Sequence, residues 1–463
     1  MEAISNLLSW SRLGLTIVVY FVTLACYRLF LHPLSRFPGP RLAAVSRWYE
    51  AYYDVVQNGQ YTFKIAELHK QYGPIIRISP HELHISDPAF FDQIYRQDGV
   101  WDKYGWAVNA FATQGATLFT AKHDLHKARR QPLNQFFSKA RVSSRQDMIH
   151  WHMGKLCNRI SIFAESQETF NFGAAITAFA RDVAFDFILG KSYKSLDKDD
   201  FDEAMVTATS GSGQENMEDT EKLVASIRSP SNSGSGTHSI VHEIIESKLP
   251  ASEKTTNRIF DDVATITGAG FETTAGALRV ALFHIFNNHG ILQHLRAELA
   301  TVDTRDLKAL EQLPYLKAVL MEGLRISTAL GTRLARIAPD RDLFYKQWRI
   351  PAGTPVGMTL VLLHADEYLF PEPRRFNPDR WMDPDGRQKI DKTFAPFLRG
   401  TRACLGMHLA WAEMYLLIAG LVDRFDFRYL NARAGDFECD SDQFAIGTRG
   451  KGVLNAIVSQ RLD

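Results

Sequence analysis

The stretch that decides the fold lies near the C-terminus and reads Phe397-Leu398-Arg399-Gly400-Thr401-Arg402-Ala403-Cys404-Leu405-Gly406. It presents one cysteine sulfur between two glycines, and an amphipathic helix is predicted to follow from Met407 to Arg424. Metal coordination and the positive end of a following helix both favour the thiolate form of a cysteine. The glycines let the backbone turn sharply and pass close to a flat ligand. The stretch therefore predicts a loop that binds a flat, metal-containing cofactor through Cys404, with Arg402 meeting an anionic group.

The spacing Phe-x2-Gly-x-Arg-x-Cys-x-Gly resembles the haem-binding loop of the cytochrome P450 family at every fixed position. The resemblance implies that Cys404 ligates the iron of haem b and that Phe397 and Gly406 contact the cofactor. A buried structural cysteine is the alternative for a lone cysteine, but the other motifs agree with a haem loop. His408 follows Cys404 at i+4, yet a zinc site needs two further ligands nearby.

The composition is that of a chain with a large core. Of the 463 residues, 45% are hydrophobic, including 30 Phe and 8 Trp. No change in composition divides the chain, so we expect one large catalytic domain. The net charge of +1 gives no reason to expect nucleic acid as a partner. The 4 cysteines have no paired spacing, which argues against a disulfide framework.

The N-terminus is different in kind. Residues 13–31 are almost all apolar, with Arg28 as an interruption, and this length approaches the ~20 residues that cross a bilayer. Arg36 and Arg41 follow, so the charge distribution places the body of the chain in the cytosol. A cleaved secretory signal is the alternative, although no small-residue cleavage site is evident. We predict a transmembrane anchor and hinge over residues 1–36 and a catalytic domain over residues 37–463.

A long helix is predicted over residues 257–289, ending before Gly290, because apolar residues recur three and four apart. Its middle reads Gly268-Ala269-Gly270-Phe271-Glu272-Thr273-Thr274. Each glycine costs about 1 kcal/mol against alanine, which a helix accepts when something must approach its backbone. Glu272 and Thr273 offer an acid and a hydroxyl that can relay protons. A kinked core helix is the alternative; the segment resembles the oxygen-activating groove of cytochromes P450, which implies catalytic roles for both residues.

Glu322 and Arg325 lie at i and i+3 on one face of a helix predicted over residues 314–327. The same spacing recurs in residues 372–375, which we interpret as a solvated pair in a proline-rich loop. Glu322 and Arg325 differ because they lie between the long helix and the cysteine loop, as the Glu-x-x-Arg motif of the family does. The resemblance adds Arg380 as the third member of a buried network whose role is structural.

The resemblance also supplies partners for the two haem propionates. Arg402 matches the family pattern directly. Arg336 lies where the strand after the Glu-x-x-Arg helix provides a propionate partner. Arg130 closes the pattern His126-x3-Arg130, where the family has Trp-x3-Arg. His126 keeps a ring nitrogen donor at the first position.

A basic helix over residues 123–137 contributes Lys127 and Arg129, which together with Arg399 offer a basic face for docking a reductase. A solvated basic helix is the alternative. Since no dinucleotide-binding glycine motif opens a βαβ unit, the electrons are expected from a separate NADPH-dependent reductase.

Helices dominate the remaining pattern, with small β-sheets between them. A β-hairpin is predicted from residues 75–78 and 82–85, and a sheet over residues 348–363. Phe172–Leu189 reads as an apolar helix ended by Gly190. The expected fold is mainly α with small β-sheets: a cytochrome P450 fold preceded by one transmembrane helix.

One interval departs from the family pattern. Between Gly190 and the long helix, members usually carry two long helices and a loop that cover the substrate, and here the interval is several tens of residues shorter. Residues 201–210 and 215–228 are predicted remnants of those helices, joined by residues 211–213. Residues 229–236, rich in serine and glycine, are predicted to form a mobile loop. The shortening within residues 201–240 leaves the closure of the substrate pocket in question.

These features predict a haem-thiolate monooxygenase anchored in the endoplasmic reticulum membrane, most similar to fungal members that modify secondary metabolites. The expected substrate is a small apolar molecule of the terpenoid or polyketide kind, with Phe111, Phe119 and Phe271 as candidate pocket residues. A haem-thiolate isomerase or dehydratase is one alternative, although it would have no need of Glu272 and Thr273. A haem-binding remnant impaired by the shortened roof is the other.

Overall fold

The computed structural model describes residues 10–111, 113–203, 212–228 and 238–461. Within these ranges the α-helices are Trp10–Cys26, Arg41–Val45, Trp48–Ala51, Tyr61–Tyr72, Phe91–Ile94, Gly105–Val108, His123–Phe136, Lys139–Ser144, Gln146–Ser166, Phe172–Leu189, Ser212–Arg228, Ile240–Glu246, Thr256–Asn287, His289–Leu299, Leu307–Leu310, Pro314–Ile326, Leu360–His364, Pro384–Ile390 and Met407–Arg424. The strands are β1 Ile75–Arg77, β2 Leu83–Ile85, β3 Asp102–Lys103, β4 Phe170–Asn171, β5 Arg336–Ile337, β6 Leu343–Tyr345, β7 Trp348–Ile350, β8 Val356–Gly357, β9 Phe425–Tyr429, β10 Cys439–Gln443, β11 Ala445–Thr448 and β12 Asn455–Gln460.

The core consists mainly of four long helices. Gln146–Ser166, Phe172–Leu189, Thr256–Asn287 (the long helix) and Met407–Arg424 (the C-terminal helix) pack around one large apolar cluster. The helix Pro314–Ile326 also packs on the long helix. This packing brings the predicted groove, the Glu-x-x-Arg motif and the cysteine loop into one region of the fold.

A five-stranded sheet in the order β1-β2-β8-β5-β3 carries a second, smaller core. β1 and β2 form the predicted antiparallel hairpin, with Ile75 opposite Ile85. At the other edge, β3 is antiparallel to β5, so that Lys103 lies opposite Arg336. This register places two basic side chains side by side, Arg336 buried and Lys103 half-buried.

Local sequence accounts for several helix ends. The side chain of Asn171 caps Phe172–Leu189 by accepting from the N–H of Ala174 at 3.2 Å, and Gly190 ends it with φ 73°. Both the bounds of this helix and those of the C-terminal helix were predicted correctly.

The long helix ends earlier than predicted. It stops at Asn287, and Asn288, in extended conformation, caps the next helix by accepting from the N–H of Ile291 at 3.2 Å. Gly290 therefore lies in the first turn of the helix His289–Leu299 and does not terminate the long helix. An asparagine cap, rather than a glycine, separates the two helices.

Two further predictions need correction. Residues 348–363, predicted as one sheet, contribute to two: β7 pairs with β6, and β8 belongs to the five-stranded sheet. The chain then forms the helix Leu360–His364, so His364 is a helix residue. Ser212–Arg228 is one helix that includes residues predicted as a linker. It packs against the long helix.

The predicted helix over residues 201–210 and the predicted loop over residues 229–236 fall mostly or wholly outside the described residues. Phe201 and Asp202 have φ of 56° and 60°, outside the right-handed helical region, and Glu203 is the one described residue of the predicted helix that is helical.

The N-terminal helix Trp10–Cys26 continues into a π-helical turn, Tyr27–Leu31. Within the described part of the chain, Arg12–Leu31 is a helix long and apolar enough to cross a membrane, with 20 residues and a mean hydropathy of 1.8. Its side chains are mostly exposed. Exposure of such a segment is compatible with a membrane anchor.

Candidate active site

The cysteine loop is held by its own backbone and by a neighbouring turn. The N–H of Cys404 donates to the carbonyl of Phe397 at 2.8 Å, and the N–H of Thr401 donates to that of Arg96 at 3.1 Å. Gly400 has φ +75°, and a Cβ there would lie 2.5 Å from the Arg96 carbonyl oxygen. Only glycine fits this contact, which positions the loop.

Cys404 is accessible although protein groups surround it. Burial raises the pKa of its thiol above the ordinary value. The backbone N–H of Gly406 and the charge of Arg130 act in the opposite direction, but their effect on the pKa is smaller. Gly406 precedes the first turn of the C-terminal helix. The helix end, this N–H and Arg130 all favour a thiolate once a metal replaces the proton.

Four cations and a histidine surround the region beside Cys404. Burial and then Arg336, Arg402 and Arg130 lower the pKa of Lys103 well below its ordinary value. Burial, followed by Arg402 and Arg130, lowers the pKa of His126 to about 2. Burial and Arg336 also lower the pKa of Arg402 to about 9. The protein has thus assembled mutually repelling positive groups in its interior.

Protein groups leave this cationic cluster (Lys103, Arg130, Arg336, Arg402) without a matching anion. The carboxylate of Asp102 is nearby, but it accepts from Lys122 at 3.0 Å and from the N–H of His123 at 2.8 Å. Among the described residues, Nη2 of Arg336 and Nε of Arg402 are buried and have no hydrogen-bond acceptor. Like charges opposite one another in a sheet are destabilising unless an anion lies between them.

The cluster therefore fits a ligand that carries carboxylates, as the two propionates of haem do. The structure brings together the predicted residues Arg130, Arg336, Arg402 and His126, and Cys404 lies beside them. Lys103 was missed from the sequence. The register of β3 against β5 identifies it, and no sequence motif predicts that register.

The Glu-x-x-Arg motif forms a closed buried network. Glu322 is fully buried and accepts from Nε and Nη2 of Arg325 at 2.9 and 2.8 Å. It also accepts from Nε of Arg380 at 3.1 Å, Nε1 of Trp381 at 2.9 Å and the N–H of Asn377 at 2.9 Å. The geometry agrees with the structural role predicted for Glu322, Arg325 and Arg380, and adds Trp381 and Asn377.

The network also holds the segment that leads into the cysteine loop. Nη1 of Arg325 donates to the carbonyl of His364 at 2.9 Å, and the N–H of Ala395 donates to Nε2 of His364 at 3.3 Å. Ala395 is only two residues before Phe397, so the network reaches the cysteine loop. A Cβ on Gly323 would lie 3.1 Å from Cβ of Ala281, which shows how closely the Glu322 helix packs on the long helix.

The second pair with this spacing, Glu372 and Arg375, is an exposed ion pair. Their side chains are 70% and 66% exposed, with 3.0 Å between Nη1 of Arg375 and Oε2 of Glu372. The interpretation of a solvated pair is therefore confirmed.

The predicted acid and alcohol lie side by side on the long helix but have different partners. Thr273 is exposed in mid-helix, and its Oγ1 donates to the carbonyl of Ala269 at 2.9 Å. Oε1 of Glu272 accepts from Nη2 of Arg279 at 2.7 Å, and Nη1 of the same arginine donates to Oγ1 of Thr177 at 2.6 Å. Arg279 lies two turns further along the long helix than Glu272, and the sequence analysis did not predict a role for it.

The candidate pocket aromatics divide into two groups. The rings of Phe111 and Phe119 stack with centroids 4.2 Å apart, and Phe444 packs on Phe111 at 4.7 Å. Phe271 lies under the guanidinium of Arg181, at 5.5 Å, on the side of the helix Phe172–Leu189. Packing against protein groups accounts for these rings, and a substrate is not needed to explain them.

Two residues of the predicted docking face are engaged elsewhere. Arg129 forms a bidentate pair with Glu253 at 2.6 and 3.0 Å. Arg399 donates to the carbonyl of Lys392 at 2.7 Å and pairs with Asp92 at 3.2 Å. Lys127 remains exposed. The structure thus reduces the basic face expected from the sequence.

For zinc, the described part of the chain shows no group of three or more His, Cys, Asp or Glu residues arranged to hold a metal ion. His408 lies in the C-terminal helix and lines a groove of about 450 Å³ with Lys139, Lys317 and Trp411.

Comparisons with known proteins agree on one family. A family model described as Cytochrome P450 matches residues 214–451. The chain is 36% identical to Cytochrome P450 monooxygenase sdnE of Sordaria araneosa over 95% of this chain and 96% of that protein. It is 35% identical to Tryptophan 6-hydroxylase fscE of Fusarium equiseti (93% and 94%) and 36% identical to Conidiogenone synthase PchP450 of Penicillium rubens (94% and 96%).

The fold is that of a solved member of the same family. The crystal structure of a cytochrome P450 (CYP102L1) superposes with a TM-score of 0.71 at 16% identity, covering 86% of this chain and 94% of that one. The alignment with the Sordaria protein runs over 497 residues, whereas this chain has 463. That relative therefore contains stretches that this chain lacks.

Proposed function

The chain belongs to the cytochrome P450 family and is a haem-thiolate monooxygenase of the type found in fungal secondary metabolism, and we propose that it oxidises a small apolar secondary metabolite with electrons from a separate NADPH-dependent reductase. We further propose that residues 1–36 anchor it in the endoplasmic reticulum membrane and that residues 37–463 form the catalytic domain. The apolar helix Arg12–Leu31, mostly exposed, supports the anchor.

The observation that carries the proposal is the cationic cluster beside an accessible cysteine. Arg130, Arg336, Arg402 and Lys103 would hold the two propionates of haem b, and Cys404 would bind its iron through the thiolate. Haem ligated in this way supplies the activation of dioxygen. The protein would contribute fixed charges and a sulfur whose proton is lost when the metal binds.

Two residues of the long helix, Glu272 and Thr273, would manage protons. The hydroxyl of Thr273 is held by the carbonyl of Ala269 at 2.9 Å but is accessible, so it can rotate and donate to a different acceptor. The side chain of Glu272 is 45% exposed and tied to Arg279, and it would reach the site by leaving that pair. We propose that Thr273 is the immediate proton donor and that Glu272 recharges it.

Relatives support a small-molecule substrate. Two of them are named Tryptophan 6-hydroxylase and N-acetyltryptophan 6-hydroxylase, and a third is named Conidiogenone synthase. These names describe oxidations or syntheses of small organic compounds, which supports a hydroxylation or related oxidation here. For the reductase, the candidate contacts are the exposed Lys127 and Lys317, which lines the groove beside the C-terminal helix, whereas Lys139 in the same groove pairs with Glu311 at 2.7 Å.

The first test is the carbon monoxide difference spectrum of the reduced, full-length protein in microsomes. A red-shifted Soret band, lost in Cys404→Ser, is expected for thiolate-ligated haem. A chain that expresses but gives no such band would be a remnant without haem. Oxygen consumption with NADPH and reductase then separates a monooxygenase from an isomerase or dehydratase, which consumes no oxygen.

Thr273→Ala tests the proton route. The variant is expected to keep the Soret band but to divert oxygen to peroxide, because the immediate donor is missing. The measurement is the ratio of product to NADPH consumed, with Thr274→Ala as the matched control, since Thr274 is buried and its Oγ1 donates to the carbonyl of Gly270 at 3.1 Å. An unchanged ratio in Thr273→Ala contradicts the role.

A further inference from the structure

Residues 115–121 (the latch segment) lie against the N-terminal half of the long helix, where two adjacent carboxylates hold them. The N–H of Gly115 donates to Oδ2 of Asp261 at 2.9 Å. The N–H and the hydroxyl of Thr117 donate to the two carboxylate oxygens of Asp262, at 2.6 and 3.0 Å. All residues of the segment are described, and a single 3-10 turn, Thr117–Phe119, is its only regular element. Side-chain contacts therefore fix its position.

Asp262 belongs to a buried ion pair that also includes the latch segment. Nη1 of Arg258 donates to Oδ2 of Asp262 at 2.6 Å, and Nη2 of Arg258 donates to the hydroxyl of Thr117 at 3.2 Å. The exposed fractions of Asp262, Arg258 and Thr117 are 1%, 6% and 4%. Hydrogen bonds to charged groups are about twice as strong as those between neutral groups, so we expect this contact to hold the segment firmly.

The same network reaches the far end of the latch segment. Nε of Arg258 donates to Oε2 of Glu253 at 3.2 Å, and Arg129 forms its bidentate pair with the same carboxylate. Nη1 of Arg129 in turn donates to the hydroxyl of Thr120 at 2.8 Å. The segment is thus fixed to the long helix at one end and to the helix His123–Phe136 at the other.

The backbone carbonyls of the latch segment accept hydrogen bonds from two members of the cationic cluster. Nη1 of Arg402 donates to the carbonyl of Thr120 at 2.7 Å, and Nη2 donates to that of Ala121 at 2.9 Å. The ammonium of Lys103 donates to the carbonyl of Leu118, and its backbone N–H donates to that of Ala121 at 2.9 Å. The position of the segment therefore decides where the charges of Arg402 and Lys103 lie.

The other two members of the cluster have different partners. Nη1 of Arg336 donates to the carbonyls of Leu334 and Ala335, at 2.9 and 3.3 Å. Nε of Arg130 donates to Oδ1 of Asn134, in the same helix, at 2.7 Å. Their hydrogen bonds are thus made to their own strand and helix, which supplies a control within the cluster.

We propose that Asp262 is a positioning residue for the haem site: by holding the latch segment on the long helix, it directs Arg402 and Lys103 at the haem propionates. The inference rests on the proposed function, because the two cations have this role only if haem is bound. The long helix, which carries Glu272 and Thr273, would then also determine how firmly the cofactor is held.

The experiment measures the transfer of haem from the full-length, haem-loaded protein to apomyoglobin, together with hydrogen exchange of the latch segment. Asp262→Asn keeps the shape of the side chain, but its NH2 group meets a donor of Thr117 or Arg258 whichever way the amide is turned. Asp261→Asn is the matched control, because it removes a charge from the same helical turn and loses only the contact with Gly115. Thr117→Val, which removes only the hydroxyl, takes the place of Asp262→Asn if that variant does not fold.

We expect Asp262→Asn to accelerate haem transfer by roughly tenfold and to speed hydrogen exchange of residues 115–121, because charge-assisted contacts are lost. Asp261→Asn should change both rates far less. In an Arg402→Lys background the acceleration should be clearly smaller, because an ammonium cannot form the fork to two carbonyls that Asp262 keeps in place. In an Arg336→Lys background it should be undiminished, because the latch segment does not hold that residue.

Two results would overturn the inference. If Asp262→Asn leaves the rate of haem transfer unchanged, the cations keep their positions without it. If the acceleration is the same in the Arg402→Lys and Arg336→Lys backgrounds, the substitution loosens the protein in general and does not act through Arg402. Failure of the proposed function looks different, because the unsubstituted protein would then lack the Soret band of thiolate-ligated haem, and the inference would fall with it.

Discussion

Glu322→Gln is the substitution for which the structure gives the largest and best-controlled effect. Oε1 of Glu322 accepts from Arg325, Arg380 and Asn377, and Oε2 accepts from Arg325 and Trp381. A glutamine has the same shape but one NH2 group, which meets at least two donors whichever way the amide is turned. The substitution also leaves a buried guanidinium without its counter-charge.

Breaking a buried ion pair from one side costs about 3–5 kcal/mol. Set against the roughly 5–15 kcal/mol by which domains are usually stable, this is a large loss. Glu372→Gln is a matched control, because it breaks an exposed pair with the same spacing and should cost about 0–1 kcal/mol. Trp381→Phe, which removes a single hydrogen bond to Glu322, should lie between the two.

The assay is urea unfolding of the full-length protein in detergent, followed by tryptophan fluorescence and by the Soret band. We expect Glu322→Gln to unfold at a much lower urea concentration than Glu372→Gln and to lose haem in the same transition. If the two variants unfold within about 1 kcal/mol of each other, the buried network does not stabilise the fold as the contacts indicate.

Three further predictions concern single side chains. Arg279→Gln should release the carboxylate of Glu272 and change the solvent isotope effect on turnover, because the cation that holds this carboxylate is lost. Arg279→Lys keeps a cation there and should leave the isotope effect as it is. Equal isotope effects in both variants would contradict a positioning role for Arg279. Lys103→Met should accelerate transfer of haem to apomyoglobin by roughly tenfold or more, as expected for loss of a charge-assisted hydrogen bond, while Lys122→Met, with a 79% exposed side chain, should not. Burial and a neighbouring arginine lower the pKa of His364 to about 3. Its contribution to stability is therefore complete above about pH 6.5, the pKa of a histidine in the unfolded chain, and is lost as the pH falls towards 3, because in that range only the unfolded chain takes up the proton. His364→Gln should therefore flatten the fall in unfolding free energy between pH 6 and 4, and an unchanged slope would disprove this account.

Elements that depend on local pattern were predictable from the sequence. A continuous apolar run ended by Gly190 predicted Phe172–Leu189, and the C-terminal helix follows the cysteine loop directly. The predicted end of the long helix was wrong because both asparagine and glycine are common at helix ends. Only the structure shows that the boundary is set by the side chain of Asn288, which accepts from the N–H of Ile291.

What depends on register or on distant pairing could not be predicted. Lys103 joins the cationic cluster only because β3 pairs with β5, and these strands are more than two hundred residues apart. Arg129 lies in a basic helix that favours a docking role, yet its charge is neutralised by Glu253, which lies more than a hundred residues further along the chain. The roles assigned to Cys404, Thr273 and the propionate partners remain predictions that the variants above will test.

The pairing of β3 with β5 has a consequence for how the protein is made. β3 is a two-residue strand at the edge of the five-stranded sheet, and its only strand partner in that sheet presents a positive side chain opposite its own. Without an anion the strands pair at the cost of a lowered pKa for Lys103, so a dianionic molecule that binds between these side chains stabilises the paired edge. We therefore expect the edge to open more often in chains without haem, and limited proteolysis near β3 to be faster for those chains than for chains that hold it.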